Sequence, residues 1–272
     1  VKALPQSLPS TFGWRTQGKV TPVKDQNSCG TCWAHGTLAA VESKVLIDDN
    51  VPYDPSQHDF SEQNLVCCTD PSWVYLLNPP DYRCMGGGWS WLAADTLTKK
   101  GTRLESCQLY NTGTIDTEAC DDTCTPIKRL TGYRLVANSA DMIDEVKNAI
   151  YNCGPVSMSY CHVNSYMYLG SIYYWPDYTV CPEGHGHCVC IVGWDDNTQW
   201  PGGDGSGAWI VKNSWGTGWP DGDNGYFYFC YGSAGMDTVA SYRYKDYDPD
   251  ETVYYWDEAY WLGNGIGIGG VD

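Results

Sequence analysis

A chain of 272 residues is long enough to bury a sizeable core, and its length alone allows one or two domains. Its 16 basic against 33 acidic side chains leave a formal net charge of −17, which repels phosphate backbones and anionic bilayers and argues against nucleic acid and membrane surfaces as partners. No run is apolar enough to span a bilayer and no targeting segment is found; the 14 cysteines point to an oxidising compartment, and without repeated close pairs and matching histidines no metal or cofactor is expected.

In chain order, the first informative element is Cys29-Gly30-Thr31-Cys32. Two cysteines so spaced serve redox centres, metal knuckles and plain disulfides alike. A polar turn at Asn27 and Ser28 leads into it, and the following Ala- and Leu-containing run, Trp33 to Glu42, predicts a helix with Cys32 in its first turn. Unpaired amides and the helix dipole favour a thiolate there. Further helices are expected from Ser61 and over Trp89 to Lys99, the latter preceded by Gly86-Gly87-Gly88. From about residue 111 short Val-, Tyr- and Ile-rich runs alternate with Gly and Pro turns, as an antiparallel barrel-like sheet requires. Met142, Val146, Ala149 and Ile150 recur at helical spacing and predict a short helix within Asp141 to Asn152.

His187 opens a short strand-like run, Cys188 to Val192, closing in Gly193-Trp194, with His185 two residues before it. A thiol beside an imidazole exchanges its proton to give a thiolate–imidazolium pair, able to attack an amide and then protonate the leaving amine. Asn213 follows the apolar run Trp209-Ile210-Val211, where a neutral amide accepts the imidazole N–H and fixes its tautomer. Asp195-Asp196-Asn197 and Asp221-Gly222-Asp223-Asn224 lack the spaced ligands of an EF-hand and read as solvated turns.

The segment Gln26 to Trp33 resembles the nucleophile region of papain-like cysteine peptidases, the papain/cathepsin family, and the similarity continues in order through the chain. Leu8 to Arg15 and Val20 to Gln26 resemble the start of the mature enzyme. Ser61 to Val66, Cys84-Met85-Gly86-Gly87, Gly154-Pro155-Val156-Ser157, His187 to Trp194 and Trp209 to Gly216 follow. The resemblance implies an α+β fold of two lobes with a cleft between them, mainly helical over about 25–110 and barrel-like over about 111–232, the catalytic domain being 1–232. It implies a cysteine endopeptidase with catalytic Cys32, His187 and Asn213, and Gln26 joining the Cys32 amide in an oxyanion hole. Gly87, Trp89, His185, Gly186 and Trp215 would meet a polypeptide substrate, Trp215 also covering the His–Asn bond. The floor of the main selecting subsite falls near Gly235-Met236-Asp237 without a placed residue.

The family likeness also implies a Cys29–Cys84 disulfide and a bond from Cys68 into the Cys107, Cys120, Cys124 group. Without Cys32 an odd number of cysteines remains, so a second thiol is expected free, Cys188 or Cys190 being the candidates. It further implies a secreted monomer, made with its own inhibitory propeptide. Thr31 stands where the family has Ser or Ala, His35 where it has Phe or Ser, and Gly186 where several relatives have Asp. His35 is expected to be a buried neutral ring. The extension 233–272, with Tyr254-Tyr255-Trp256-Asp257 and Gly263 to Gly267, resembles that of prokaryotic relatives leading toward an accessory domain. Two alternatives stand beside this reading: a catalytically weak or inactive binding or adhesion protein of the same fold, and a thiol–disulfide oxidoreductase using Cys29 and Cys32.

Overall fold

The computed structural model describes residues 7–70, 83–137, 142–168, 171–176, 181–182, 185–203, 205–220, 223–231, 233 and 236–246. Its axis is α1, Cys32–Asp48, a helix of 17 residues without proline. Both sides of α1 are covered, so it has no polar stripe: Trp33, Leu38, Val41 and Val45 are buried, and so are His35, Thr37 and Glu42. It stops where Asn50 takes a positive φ of 52°. Asp54 accepts the Ser56 amide to start α2, Pro55–His58, and Ser61 Oγ accepts the Asn64 amide at 2.9 Å to start α3, Glu62–Cys68. Two more helices follow among the described residues: α4, Arg83–Gly86, and α5, Ser90–Lys100, the latter closed by Gly101 at φ 74°.

The sheet holds β1 (Thr11–Gly13), β2 (Lys128–Ala137), β3 (Val156–Cys161), β4 (Met167–Tyr168), β5 (Ile172–Tyr173), β6 (Gly186–Gln199), β7 (Ser206–Lys212), β8 (Tyr226–Cys230) and β9 (Met236–Asp246). Strand order is β2-β9-β3-β6-β7-β8-β5-β4, with β1 on β6. All pairs are antiparallel except β5 with β8. Helix α6, Ile143–Cys153, packs beside β2, β6 and β9.

Strand alternation divides the core. Cys188, Cys190 and Val192 of β6 join the cluster around α1, whereas Val189 and Ile191 join the second cluster with Trp209, Phe227 and Phe229. A register shift between Ile191 and Gly193 then puts Trp194 on the same face as Ile191. The run expected to end at Gly193-Trp194 therefore continues to Gln199. Gly193 is required there, since a Cβ would lie 2.2 Å from the Phe12 carbonyl of β1. Across the lobes, α1 meets β6 at Gly36, where a Cβ would come within 2.9 Å of Cys188 Sγ.

Both expected boundaries move. Residues 111–127, assigned by pattern to the second lobe, belong with the first: Ile115 is in the α1 cluster, and Cys68–Cys120 and Cys107–Cys124 tie the segment to the helices. The chain beyond 232 does not leave the catalytic body at once, because β9 lies between β2 and β3 in the sheet. The aromatic and glycine runs at 254–257 and 263–267 lie outside the described residues.

The other disulfides are Cys29–Cys84, as the resemblance implied, and Cys161–Cys181. Cys188 and Cys190 are both free and buried, and Cys67, Cys153 and Cys230 are free as well. With Cys29 bonded to Cys84, the Cys29–Cys32 pair is no redox couple. Asp195-Asp196-Asn197, expected as a solvated turn, lies instead within β6, where Asp195 accepts from Thr11 and Asn197, and Asp196 from Lys147 and Tyr231, because the strand continues past the Gly193 bulge to pair with β1 and β7. Asp221 and Gly222 of the other acidic loop lie outside the described residues.

Candidate active site

The site lies where α1 begins against the start of β6. Cys32 is in the first turn of the helix. Burial pushes its thiol up, opposed by backbone amides of Cys188, Trp33 and Cys32 itself. Gly36, one turn further along α1, packs against Cys188 and Val189, which brings the helix start to the beginning of β6 where His187 stands. Burial likewise lowers His187 to about 3, against the hydrogen bond to Asn213. Both shifts have one cause, the cost of a lone charge out of water. Moving the thiol proton onto the imidazole creates two opposite charges together, whose attraction offsets that cost.

His187 Nε2 meets Asn213 Oδ1 at 2.7 Å, and that oxygen also accepts the Ser214 amide at 2.9 Å, which fixes the amide's orientation. The ring therefore donates through Nε2 and keeps Nδ1 free to act as a base. Trp215 stacks on the imidazole at 4.5 Å between centroids and 23° between planes, and Asn213 is only 2% exposed, so the bond is shielded from water. Gln26 is buried and doubly anchored: Ser214 Oγ donates to its Oε1 at 2.5 Å, and its Nε2 donates to the Cys29 carbonyl at 2.7 Å. An amide nitrogen carries two hydrogens, so one remains for a further acceptor.

Gly87 has φ 65°, and its backbone lies 3.5 Å from where a Cβ on Gly30 would sit, beside the nucleophile turn. Trp89 caps the start of α5 at 38% exposure with its ring stacked on Trp91. His185 is exposed and its Nδ1 is tied to the His162 carbonyl at 2.7 Å, away from the catalytic role. Gly186 is exposed, with nothing within 4 Å of where its Cβ would be. Gly186→Asp thus fits without strain and adds a negative charge beside His187. A pH profile of thiolate-dependent activity should show the imidazolium limb raised by roughly half a unit to one unit.

Three contributors went unread in the sequence. His162 packs against Trp215 at 4.9 Å and His187 at 6.2 Å, its nitrogens held by Tyr160 and Asn164. The signal was the period of two through Val156, Met158 and Tyr160, which carries His162 to the same face. Ser214 anchors Gln26, and Tyr110 backs the nucleophile turn. His35 matches expectation: 4% exposed, burial lowering it to about 3, with its Nδ1 toward the Thr31 carbonyl at 3.0 Å.

Glu105 is a fourth group of interest. Burial, then the charge of Glu62, push it up from 4.5 to about 7; one oxygen accepts the Tyr110 amide and the other has no partner. A carboxyl raised on folding stabilises the fold below its unfolded value, and that contribution is lost as pH rises from 4.5 to about 7. Glu105→Gln should flatten this part of the stability–pH curve, as urea midpoints across the interval will show.

A helix-borne thiol, a strand-borne imidazole and a shielded asparagine amide on a two-lobed α+β body define the cysteine–histidine–asparagine class of hydrolase folds. The profile of the papain family cysteine proteases matches residues 8–245. Cysteine proteinase 2 of Entamoeba histolytica is 33% identical over 202 residues, 68% of this chain and 58% of that protein. Among solved structures, the cysteine protease and lectin-like domains of Cwp84, a surface layer associated protein of Clostridium difficile, superpose with TM-score 0.73 at 26% identity, covering 90% of this chain and 54% of that one. A second structure of the clostridial protease, after propeptide cleavage, gives TM-score 0.71 at 26% identity over 89% of this chain and 60% of that one. The chain belongs to the papain family. It spans little more than half the length of the curated relatives it matches.

Proposed function

We propose that the chain is a secreted cysteine endopeptidase acting through Cys32, His187, Asn213 and Gln26. The observation that carries this reading is the His187–Asn213 bond sealed under Trp215, with Cys32 opening the helix that packs on the strand bearing His187. The Cys32 thiolate attacks the scissile carbonyl carbon, forming a C–S bond as the carbonyl electrons pass to oxygen. That oxyanion is met by the Cys32 N–H and the second hydrogen of Gln26 Nε2. Collapse breaks the C–N bond while the imidazolium gives its proton to the leaving amine. A water that yields its proton to His187 then attacks the thioester, and the acid and the thiol are released.

Gly87 would pair its backbone with an extended substrate, with Trp89 and Gly186 beside the side chain preceding the cleaved residue and Trp215 on the leaving side. Polypeptides are the substrates, with an inhibitory propeptide preceding the mature enzyme, a reading supported by the propeptide cleavage of the similar clostridial protease. The enzyme is read as a monomer that engages neither nucleic acid nor membrane, and its extracellular setting is supported by the surface-layer association of that clostridial protein. The same similarity and the tyrosine- and glycine-rich tail also support a prokaryotic-type variant, the catalytic body running through β9 and the rest leading toward an accessory domain. Iodoacetamide or a peptidyl epoxide should label Cys32 and abolish hydrolysis of a peptide library. Labelling elsewhere with activity intact would move the nucleophile, and a chain that labels but hydrolyses nothing would favour the binding alternative.

A further inference from the structure

The segment between Gln26 and Cys32 carries both proposed oxyanion donors, and one first-lobe side chain, Tyr110, touches it at both ends. Tyr110 Oη donates to the Gln26 carbonyl at 3.0 Å. The same oxygen lies 2.6 Å from Thr31 Oγ1, and because a phenol has a single hydrogen, Thr31 is the donor in that pair. Thr31 is fully buried, and no water competes for its hydroxyl. Tyr110 is itself fixed: its amide donates to Glu105 Oε1 at 2.6 Å, and its ring stands at 90° to His35, 4.9 Å between centroids. His35 in turn reaches back to the Thr31 carbonyl. Phenol, threonine and histidine thus close a loop of contacts around the turn that bears the nucleophile.

We propose that Tyr110 is a positioning residue for peptide hydrolysis, its phenol pinning Gln26 and Thr31 together so that the Gln26 amide and the Cys32 N–H converge on the developing oxyanion. This rests on the catalytic reading above. Charge on the carbonyl oxygen exists only as the reaction proceeds, so loosening the two donors lowers turnover more than it weakens substrate binding. A hydroxyl on Thr31 gives Tyr110 a donor that alanine, one of the residues met there in the family, does not.

The test compares Y110F, T31V, T31S and the double variant Y110F/T31V by kcat, KM, the rate of Cys32 alkylation by iodoacetamide and the melting midpoint. Alkylation needs the thiolate but no oxyanion donor. Y110F should lose about five-fold in kcat, the worth of a buried hydrogen bond, with KM within about twofold and alkylation unchanged. T31V should lose a similar factor, the double variant no more than either single one, and T31S should recover most of the loss. An unchanged kcat in Y110F with active wild-type enzyme overturns this proposal alone. So does a parallel fall in kcat, alkylation and melting midpoint, or multiplicative losses in the double variant. Wild-type protein without thiol-dependent hydrolysis overturns the catalytic reading and this inference with it.

Discussion

Replacing His187 by Ala should lower kcat for a peptide substrate by about 10² to 10⁴, the usual worth of a positioned proton carrier. The ring is held in one tautomer by Asn213 and clamped by Trp215, so no neighbour can substitute for its free Nδ1. His162 has both nitrogens engaged and His185 has its Nδ1 bound to a backbone carbonyl. Asn213→Ala should cost less, because the imidazole remains and only its orientation loosens. Gln26→Ala should lower kcat with little change in KM. Steady-state kinetics across pH will decide the ranking, and His187→Ala enzyme as active as wild type would move the base elsewhere, His185 being the first alternative to test.

The largest effect on stability is expected at Lys24. Its ammonium lies 3.1 Å from Glu42, 2.8 Å from Asp59 and 3.0 Å from Glu62, and also donates to the Phe60 carbonyl. Glu42 and Glu62 are each 1% exposed. Lys24→Met takes away the cation in direct contact with those buried carboxylates and leaves only the field of the buried Lys212, held through Thr21, which should cost about 3 kcal/mol and lower the melting midpoint on the order of 10 °C. Burial raises Glu62, so it takes up a proton early as pH falls, and the penalty should shrink in acid as the uncompensated charges disappear. A second change, Glu62→Gln in the Lys24→Met background, should restore part of the loss. Urea unfolding of the three variants measures both effects, and a Lys24→Met protein as stable as wild type would show that the cluster contributes nothing net.

Much of the site was legible because short-range chemistry dictates it. Cys32 needs a helix start and has one, His187 heads a strand, and Asn213 follows the apolar stretch that buries it. The helices expected from Ser61 and over Trp89 to Lys99 are present as Glu62–Cys68 and Ser90–Lys100, the first capped by Ser61 and the second closed by Gly101. What stayed hidden is set by packing at a distance. Residues 111–127 have no periodicity to betray their lobe; the disulfides to Cys68 and Cys107 and the burial of Ile115 against α1 reveal it. In β9 the alternation of Tyr242 and Tyr244 with Ser241 and Arg243 was present, yet it reads as a tail until β2 and β3 are seen on either side. Tyr110 lies far along the chain from Gln26, so no local spacing connects them.

The placement of β9 also bears on where the chain can be shortened. Gln26, Cys32, His187 and Asn213 all precede Met236–Asp246, yet β9 is the strand that joins β2 to β3. Without it β2 would lose its partner in the described sheet, and β3 would keep β6 on one side and show an open edge on the other. A truncation that spares every candidate catalytic group is therefore expected to leave two unpaired strand edges in the second lobe.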